Sequence, residues 1–281
     1  DGSPPVIELV DSHAHLQEPE FEGDRDAAIE RAVAAGVRAV IVPGVDVETS
    51  EAAIALAERH EIVYAAAGFH PHEASRLTPA GLEQVERLLQ GPKVIALGEI
   101  GLDFYRMHSP REAQVEALRA QLALAERLGL PVVIHCRDAW EALADVLVPW
   151  ARRVARGFGG RPLGVLHYFT GTLAQARLYA ELGFLISIHT SVTHPKAARL
   201  REVAGGLLLD ALVIESDSPY GAPQAQRGRR NEPAFVVEVA RQVAAARACT
   251  LEEVASATTA NALRLFEVLR ASRVPVAEPT T

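Results

Sequence analysis

Asp11-Ser12-His13-Ala14-His15 closes an apolar run, Val6-Ile7-Glu8-Leu9-Val10, and sets two imidazoles two residues apart. Side chains of an extended strand alternate between faces, so His13 and His15 point the same way. Two imidazoles on one face, beside a carboxylate, form half of a metal site. The plainer reading is a polar strand end with two solvated histidines. The motif alone does not separate these readings; ligands from other strand ends would.

Such ends recur along the chain. Gly68-Phe69-His70-Pro71-His72, Gly98-Glu99-Ile100-Gly101-Leu102-Asp103, His135-Cys136-Arg137-Asp138, His167-Tyr168-Phe169-Thr170 and Glu215-Ser216-Asp217-Ser218-Pro219 each follow an apolar stretch. Of ten histidines, His13, His15, His135 and His167 fall on strand ends, whereas His60, His108 and His194 read as structural or solvated. Singly, each residue has a plain explanation: a structural histidine, a rim ion pair for Glu99, a turn former for Asp217 before Ser-Pro. Their joint occurrence favours a metal centre.

Imidazoles with carboxylates suit Zn²⁺, Mn²⁺ or similar divalent ions. Four histidines and two acids exceed one tetrahedral site and suffice for two ions. Two ions about 3.5–4 Å apart clamp both oxygens of an in-line displacement at phosphorus. Glu99 is the best bridging carboxylate, because its strand lies between those of the other ligands. A carbamylated lysine is the other familiar bridge, but the chain has only two lysines. Lys93 precedes the Glu99 strand, at the wrong end, and Lys196 reads as helical.

The elements that must position these side chains alternate strand and helix. Strands are expected at 6–16, 38–45, 62–70, 94–103, 131–137, 163–169, 184–191 and 212–216. Helices are expected at 24–35, 49–60, 78–90, 110–128, 140–153, 173–182, 196–204 and 233–247, then 251–269 at the C-terminus. Thr78 caps the third helix with Pro79 at its first position, and Gly129 stops the fourth. Alternation implies parallel βαβ units. Wholly apolar strands such as Val132-Val133-Ile134 imply cover on both faces. Eight units give an α/β fold, a (β/α)₈ TIM barrel forming a single domain with a C-terminal helix. An open doubly wound sheet is the alternative; no Gly-x-Gly-x-x-Gly follows the first strand.

The 281 residues are 49% hydrophobic, enough for a large core. No apolar run reaches membrane-spanning length, so no membrane association is expected. Residues 1–5 have no signal-peptide character and are expected, like the 272–281 tail, to lie outside the fold. Cys136 and Cys249 are far apart and suit a reducing cytoplasm. A net charge of -8 argues mildly against a polyanionic partner. Against that, Arg227, Arg229 and Arg230 form a local basic cluster able to engage phosphate. No obligate protein partner is evident.

These motifs, followed by Arg-Gly-Arg-Arg-Asn-Glu-Pro and Asn261 in Thr-Ala-Asn-Ala-Leu-Arg-Leu-Phe, occur in one order from Val6 to Phe266. Together they resemble the TatD family of metal-dependent deoxyribonucleases. The resemblance implies a TIM barrel, a DNA substrate, 3′-to-5′ exonuclease activity and, through action at abasic sites, DNA repair. It places His13, His15, Glu99 and Asp217 on one metal, and Glu99, His135 and His167 on the other. The chain departs from the family pattern at Gly221, where Leu is frequent, at Ser216, where Thr is common, and in Ile188-His189-Thr190-Ser191-Val192-Thr193-His194. None of these removes a ligand; His189 stands where substrate contact is expected.

The expected reaction is attack of metal-activated water on phosphodiester phosphorus, with Zn, Mn or Mg as the two ions. Glu99 and Asp217 are the catalytic carboxylates, Asp217 also accepting the proton of water. His70, Arg137 and Arg229 are the expected substrate contacts, since planar guanidinium suits phosphate oxygens. Trp140 and Tyr168 are candidates to stack on bases, though Trp140 also fits the core. The rival readings are a metal-dependent amidase, lactonase or aminoacyl-ester hydrolase in the same barrel, and a non-enzymatic metal-stabilised scaffold.

Overall fold

Strands covered on both faces must be apolar on both, and the eight apolar runs form such strands. The computed structural model describes residues 7–267. The expectations for residues 1–5 and 272–281, and for the last two residues of the C-terminal helix, lie outside the described residues. The strands are β1 (Leu9–Asp11), β2 (Val37–Pro43), β3 (Val63–Ala67), β4 (Val94–Asp103), β5 (Val132–Arg137), β6 (Gly164–Leu166), β7 (Phe184–His189) and β8 (Leu212–Glu215). They pair in parallel, each with the next, in one eight-stranded sheet. Between them run α1 (Arg25–Ala34), α2 (Val47–Arg59), α3 (Pro79–Leu88), α4 (Arg111–Leu128), α5 (Trp140–Val154), α6 (Leu173–Glu181) and α7 (Ala198–Gly206). Helices α8 (Val236–Arg247) and α9 (Leu251–Leu265) follow the last strand.

Closure brings the first strand against the last. The Ser12 amide donates to the Ile214 carbonyl (3.0 Å), and the Asp217 amide to the His13 carbonyl (2.9 Å). The buried Asp11 carboxylate spans the same seam: it accepts the Ser216 amide at 2.8 Å and the Ser216 hydroxyl at 2.6 Å. The expected TIM barrel is therefore the observed one.

Two apolar layers follow. Val10, Ile41, Tyr64, Ile95, Val133, Val165, Leu185 and Val213 point inward from successive strands. The α9 residues Ala262, Leu263 and Leu265, with Phe266 after them, belong to the same cluster, so the C-terminal helix packs against the inner core. Asn261 donates to the carbonyls of Leu209 and Leu212, fixing α9 to the start of β8. The outer layer joins the other strand faces to α1–α8.

Local signals explain most boundaries. Thr78 caps α3 by accepting from the Gly81 amide, with Pro79 at the first helical position. Gly129 ends α4 in the left-handed region, at φ +65°. Six strands stop earlier than expected, β2, β7 and β8 by one or two residues and β1, β3 and β6 by more, at Asp11, Ala67 and Leu166. His13, His15, His70 and His167 therefore lie just beyond the ladder, where the backbone is free to re-aim side chains. Alternation within a strand is thus not what makes the first pair converge. The Ala14 amide instead bonds across to Ile41 and the His15 amide to Ser218, at 2.9 and 2.6 Å. Lys196 lies in the turn before α7, not on the helix, and 233–235 form a 3-10 turn leading into α8.

Phe266 is almost wholly buried among the inner-core residues. Phe266→Ala should lower unfolding free energy by about 3–5 kcal/mol, the cost of an aromatic-sized cavity. Chemical denaturation of the two proteins measures it.

Candidate metal centre

Glu99 is the hub. It sits on β4 between Gly98 and Gly101, and 2% of its surface is exposed. A side chain at Gly101 (φ +145°) would collide with the His135 carbonyl, so glycine lets β4 lie close against β5 there. Glu99 Oε2 faces His13 Nε2 at 3.3 Å and His15 Nε2 at 3.8 Å. Its Oε1 faces His135 Nδ1 at 3.0 Å, His167 Nε2 at 3.3 Å and His70 Nε2 at 3.4 Å. Asp217 Oδ1 stands 3.7 Å from His15 Nε2 and 3.9 Å from His13 Nε2. The six sequence-predicted ligands thus converge on one place.

The spacing fits ions. His13 Nε2 and His15 Nε2 are 3.2 Å apart. Two nitrogens on one tetrahedral ion, with bonds of about 2.0–2.1 Å, stand about 3.3–3.4 Å apart. The Nδ1 atoms of both rings are buried with no partner among the described residues. Ligand atoms of His13, His15 and Glu99 lie within 4.8 Å of one another, as do those of His70, Glu99 and His135. His70, read from sequence as a substrate contact, is therefore as near to Glu99 as the expected ligand His167.

Three further acids support the ligands: Asp103 and Glu215, given no role from the sequence, orient rings, and Asp11, the carboxylate beside the first histidine pair, holds backbone. Asp103 Oδ2 accepts from His135 Nε2 (3.1 Å) and from His72 Nε2 (3.0 Å). That leaves the Nδ1 lone pair of His135 facing Glu99. Glu215 Oε1 accepts from His167 Nδ1 (3.1 Å) and from the Tyr168 amide (2.7 Å), which turns Nε2 of His167 inward. Asp11, the third, ties the backbone of His13 to that of Ser216. The available signal was adjacency: Asp103 and Glu215 share the motifs of Glu99 and Asp217. Asp138, Tyr168 and Asp217, each just beyond a strand, have left-handed backbones with φ between 45° and 54°. Such strain collects at functional sites.

Among the described residues, the ionic partners of Glu99, Asp103, Glu215 and Asp217 are histidines, with no Lys or Arg. Burial pushes His15 down to about 3 and His70 to about 4, keeping both neutral and able to ligate. Burial would raise Glu99, but His167, His70 and His13 outweigh it and hold the carboxylate well below its ordinary range. Burial pushes Asp217 well up. His167 is pushed up, against burial, by Glu215 and Glu99. A centre so rich in acid and so poor in fixed cations suits divalent ions.

The site opens into a cavity of about 590 Å³ whose walls include His15, His70, Glu99, Arg137, Asp217 and Tyr220. Arg137 packs its guanidinium 3.9 Å above the Tyr105 ring. Arg229 is exposed, bonds Gln226 and is not part of this wall. Arg230 is committed elsewhere: it pairs with Asp24 at 2.5 and 2.9 Å and covers Phe21. Trp140 packs on Phe169, as a core residue would. Tyr168 stacks on His189 at 3.6 Å, and buried His189 turns its Nε2 to the Phe169 carbonyl rather than the cavity. Lys93 binds three carbonyls at the end of α2, and Lys196 is exposed outside the cavity wall. Neither stands where a bridging lysine would be needed.

Residues 10–267 match the family model described as TatD related DNase. A metal-dependent hydrolase of Bacillus subtilis, YabD, whose name calls it uncharacterized, is 39% identical over 260 residues, covering 92% of this chain and 99% of that protein. The 3′-5′ ssDNA/RNA exonuclease TatD of Enterobacter lignolyticus is 36% identical, covering 92% and 99%. The crystal structure of YjjV, a TatD homologue from Escherichia coli K12, superposes with TM-score 0.86 at 34% identity, covering 96% of this chain and all of that one.

Loss of Glu99 should disturb both halves of the centre. Metal analysis after equilibration with Mn²⁺ should find two ions on the wild type and at most one on Glu99→Ala. Asp103→Ala, which frees the His135 ring, should weaken metal binding by about 10–100-fold in titration calorimetry.

Proposed function

The chain belongs to the TatD related DNase family of metal-dependent hydrolases, and from that membership we propose that it is a two-metal phosphodiester hydrolase, a 3′-to-5′ exonuclease on single-stranded DNA. The observation that carries the reading is the convergence of five imidazoles on one buried carboxylate, Glu99, at the floor of an open cavity. His13, His15, Glu99 and Asp217 would hold one ion, and Glu99, His135 and His167 the other, as Zn, Mn or Mg. His70 competes for the second ion or binds phosphate beside it. Bound there, divalent ions supply Lewis-acid charge for a phosphoryl oxygen and lower the pKa of water.

The chain's own groups do the rest. Glu99 holds the two halves in fixed separation, because its oxygens face different histidine sets. Asp217 reaches the cavity wall from a strained turn and is the carboxylate placed to take the proton of the attacking water. Asp103 and Glu215 keep the ring nitrogens of His135 and His167 aimed inward. Arg137 presents guanidinium N–H groups to phosphate at the mouth. Arg229, exposed and outside the cavity wall, meets only phosphates of a strand that runs on past the mouth.

An end-labelled single-stranded oligonucleotide tests this. With Mn²⁺ or Mg²⁺, a 5′-label should yield a ladder of shortening products, and a 3′-label should appear at once as mononucleotide. Glu99→Ala and His135→Ala should retain below about 1% of the rate, since loss of merely supporting partners already costs about 10–100-fold. Intact substrate with wild type, or unchanged rates in both variants, rules the proposal out.

A further inference from the structure

Two large aromatic side chains stand exposed at the mouth of the barrel, Tyr105 (57%) and Tyr220 (47%). Tyr105 follows β4 and Tyr220 follows β8. In a closed sheet of eight strands in sequence order, those strands are half a circumference apart. Tyr220 lines the cavity itself, and Tyr105 stands behind the opposite wall, against Arg137 and Arg106, which line it. Neither position is accidental in its backbone. Asp103 Oδ1 accepts from the amides of Tyr105 and Arg106, at 3.0 and 2.8 Å, which holds the β4–α4 turn. The Tyr220 amide bonds to the Asp217 carbonyl, and its own carbonyl accepts from Asn231.

Each ring sits beside the chemistry. The Tyr220 ring lies 5.9 Å from that of His15. Tyr105 carries Arg137 at 3.9 Å, with Arg106 at 5.7 Å, and both arginines line the cavity. Among the described residues the contacts of these two guanidinium groups are with the Tyr105 ring, not with a carboxylate or carbonyl. Cation–π contact orients a guanidinium while leaving its N–H edge for an anion. An aromatic face next to free guanidinium donors matches a nucleotide, whose base has a π-face and whose phosphate needs donors. Bases paired inside a duplex offer no free face, so the arrangement serves unpaired ones.

We propose that Tyr105 and Tyr220 are base-stacking platforms for the nucleotides at the strand end, with Arg106 and Arg137 on the flanking phosphates. The inference rests on the nuclease reading and deepens it: these residues make the site select unpaired nucleotides without reading sequence.

The test compares two single-stranded oligonucleotides, one ordinary and one with its two 3′-terminal nucleotides abasic. Wild type should have the lower KM on the ordinary strand, by about 5- to 100-fold for each stack lost. Tyr105→Ala should raise KM on the ordinary strand by a similar factor and reduce the discrimination, with kcat changed much less. Tyr105→Phe, which keeps the ring, should restore both. Tyr220→Ala and Tyr220→Phe should behave in parallel. Thermal melting confirms folding of these surface variants. Wild type that cleaves both strands alike, or alanine variants that keep the full preference, overturns the platforms while the nuclease reading stands. Wild type that cleaves neither strand overturns both.

Discussion

Everything at the mouth of this barrel answers to one constraint, the burial of the Glu99 carboxylate among imidazoles with, among the described residues, no lysine or arginine beside it. An anion taken out of water costs several kcal/mol unless it is paired. Histidine compensates only by taking up protons: His167 is held up by Glu215 and Glu99, but His13, His15 and His70 are pushed down by burial. The centre as folded is thus acidic and under-compensated, which is the property that gives divalent ions their affinity. The same constraint explains the glycine at position 101, since a side chain there would drive β4 away from the His135 backbone.

Stability and chemistry are separated along the barrel axis. Inward residues such as Val10, Ile41, Val133 and Val213 join α9 in one apolar cluster. Polar groups replace them toward and past the strand ends, where Asp11, Ser12, Ser187, Ser216 and Ser218 form buried hydrogen bonds beneath the histidines. This polar set is wholly internal. It fixes the β1–β8 seam, and the seam fixes the distance between His13, His15 and Asp217. An apolar seam would close the barrel as well but would leave those three side chains without directional restraint. The serine at position 216 is thereby accounted for by its bonds to Asp11 and Ser218.

Much of this was legible in the sequence, for reasons that can be named. β4 was delimited correctly because it is apolar, apart from Glu99 and its glycines, up to the acid that ends it, and α3 and α4 because Thr78-Pro79 and Gly129 are local signals. The convergence of the six ligands was legible because a parallel barrel puts every strand end on one side. What was not legible is set by long-range pairing. Beyond β1 the amides of Ala14 and His15 turn to opposite neighbours, Ile41 and Ser218, and beyond β6 the Tyr168 amide turns to the Glu215 side chain, so both strands stop short of their histidines. His189 sits at a strand end, yet its ring is buried under Tyr168. Glycine at 221 departs from the family pattern, and its φ of +58° shows the turn it serves. Tyr105 carried no sequence signal: one exposed tyrosine reads like another until its arginine neighbours are known.

The arginines show why net charge was a weak guide to the partner. An acidic chain repels a polyanion on average, but salt screens that repulsion beyond about 10 Å at 0.1 M. Closer in, what counts is which cations remain uncommitted. Arg230 and Arg31 are spent on Asp24 and Glu232, locking α1 to the loop after β8; Arg127 and Arg153 pair with Glu86 and Glu126 on the outer surface. The basic cluster seen at 227–230 is therefore partly structural. Arg137 and Arg106 are held by an aromatic ring instead of an acid. A ring orients a guanidinium without neutralising it, so these two keep their full charge at the cavity wall. The surface can stay acidic overall while the path to Glu99 is lined by the charges a phosphate backbone requires.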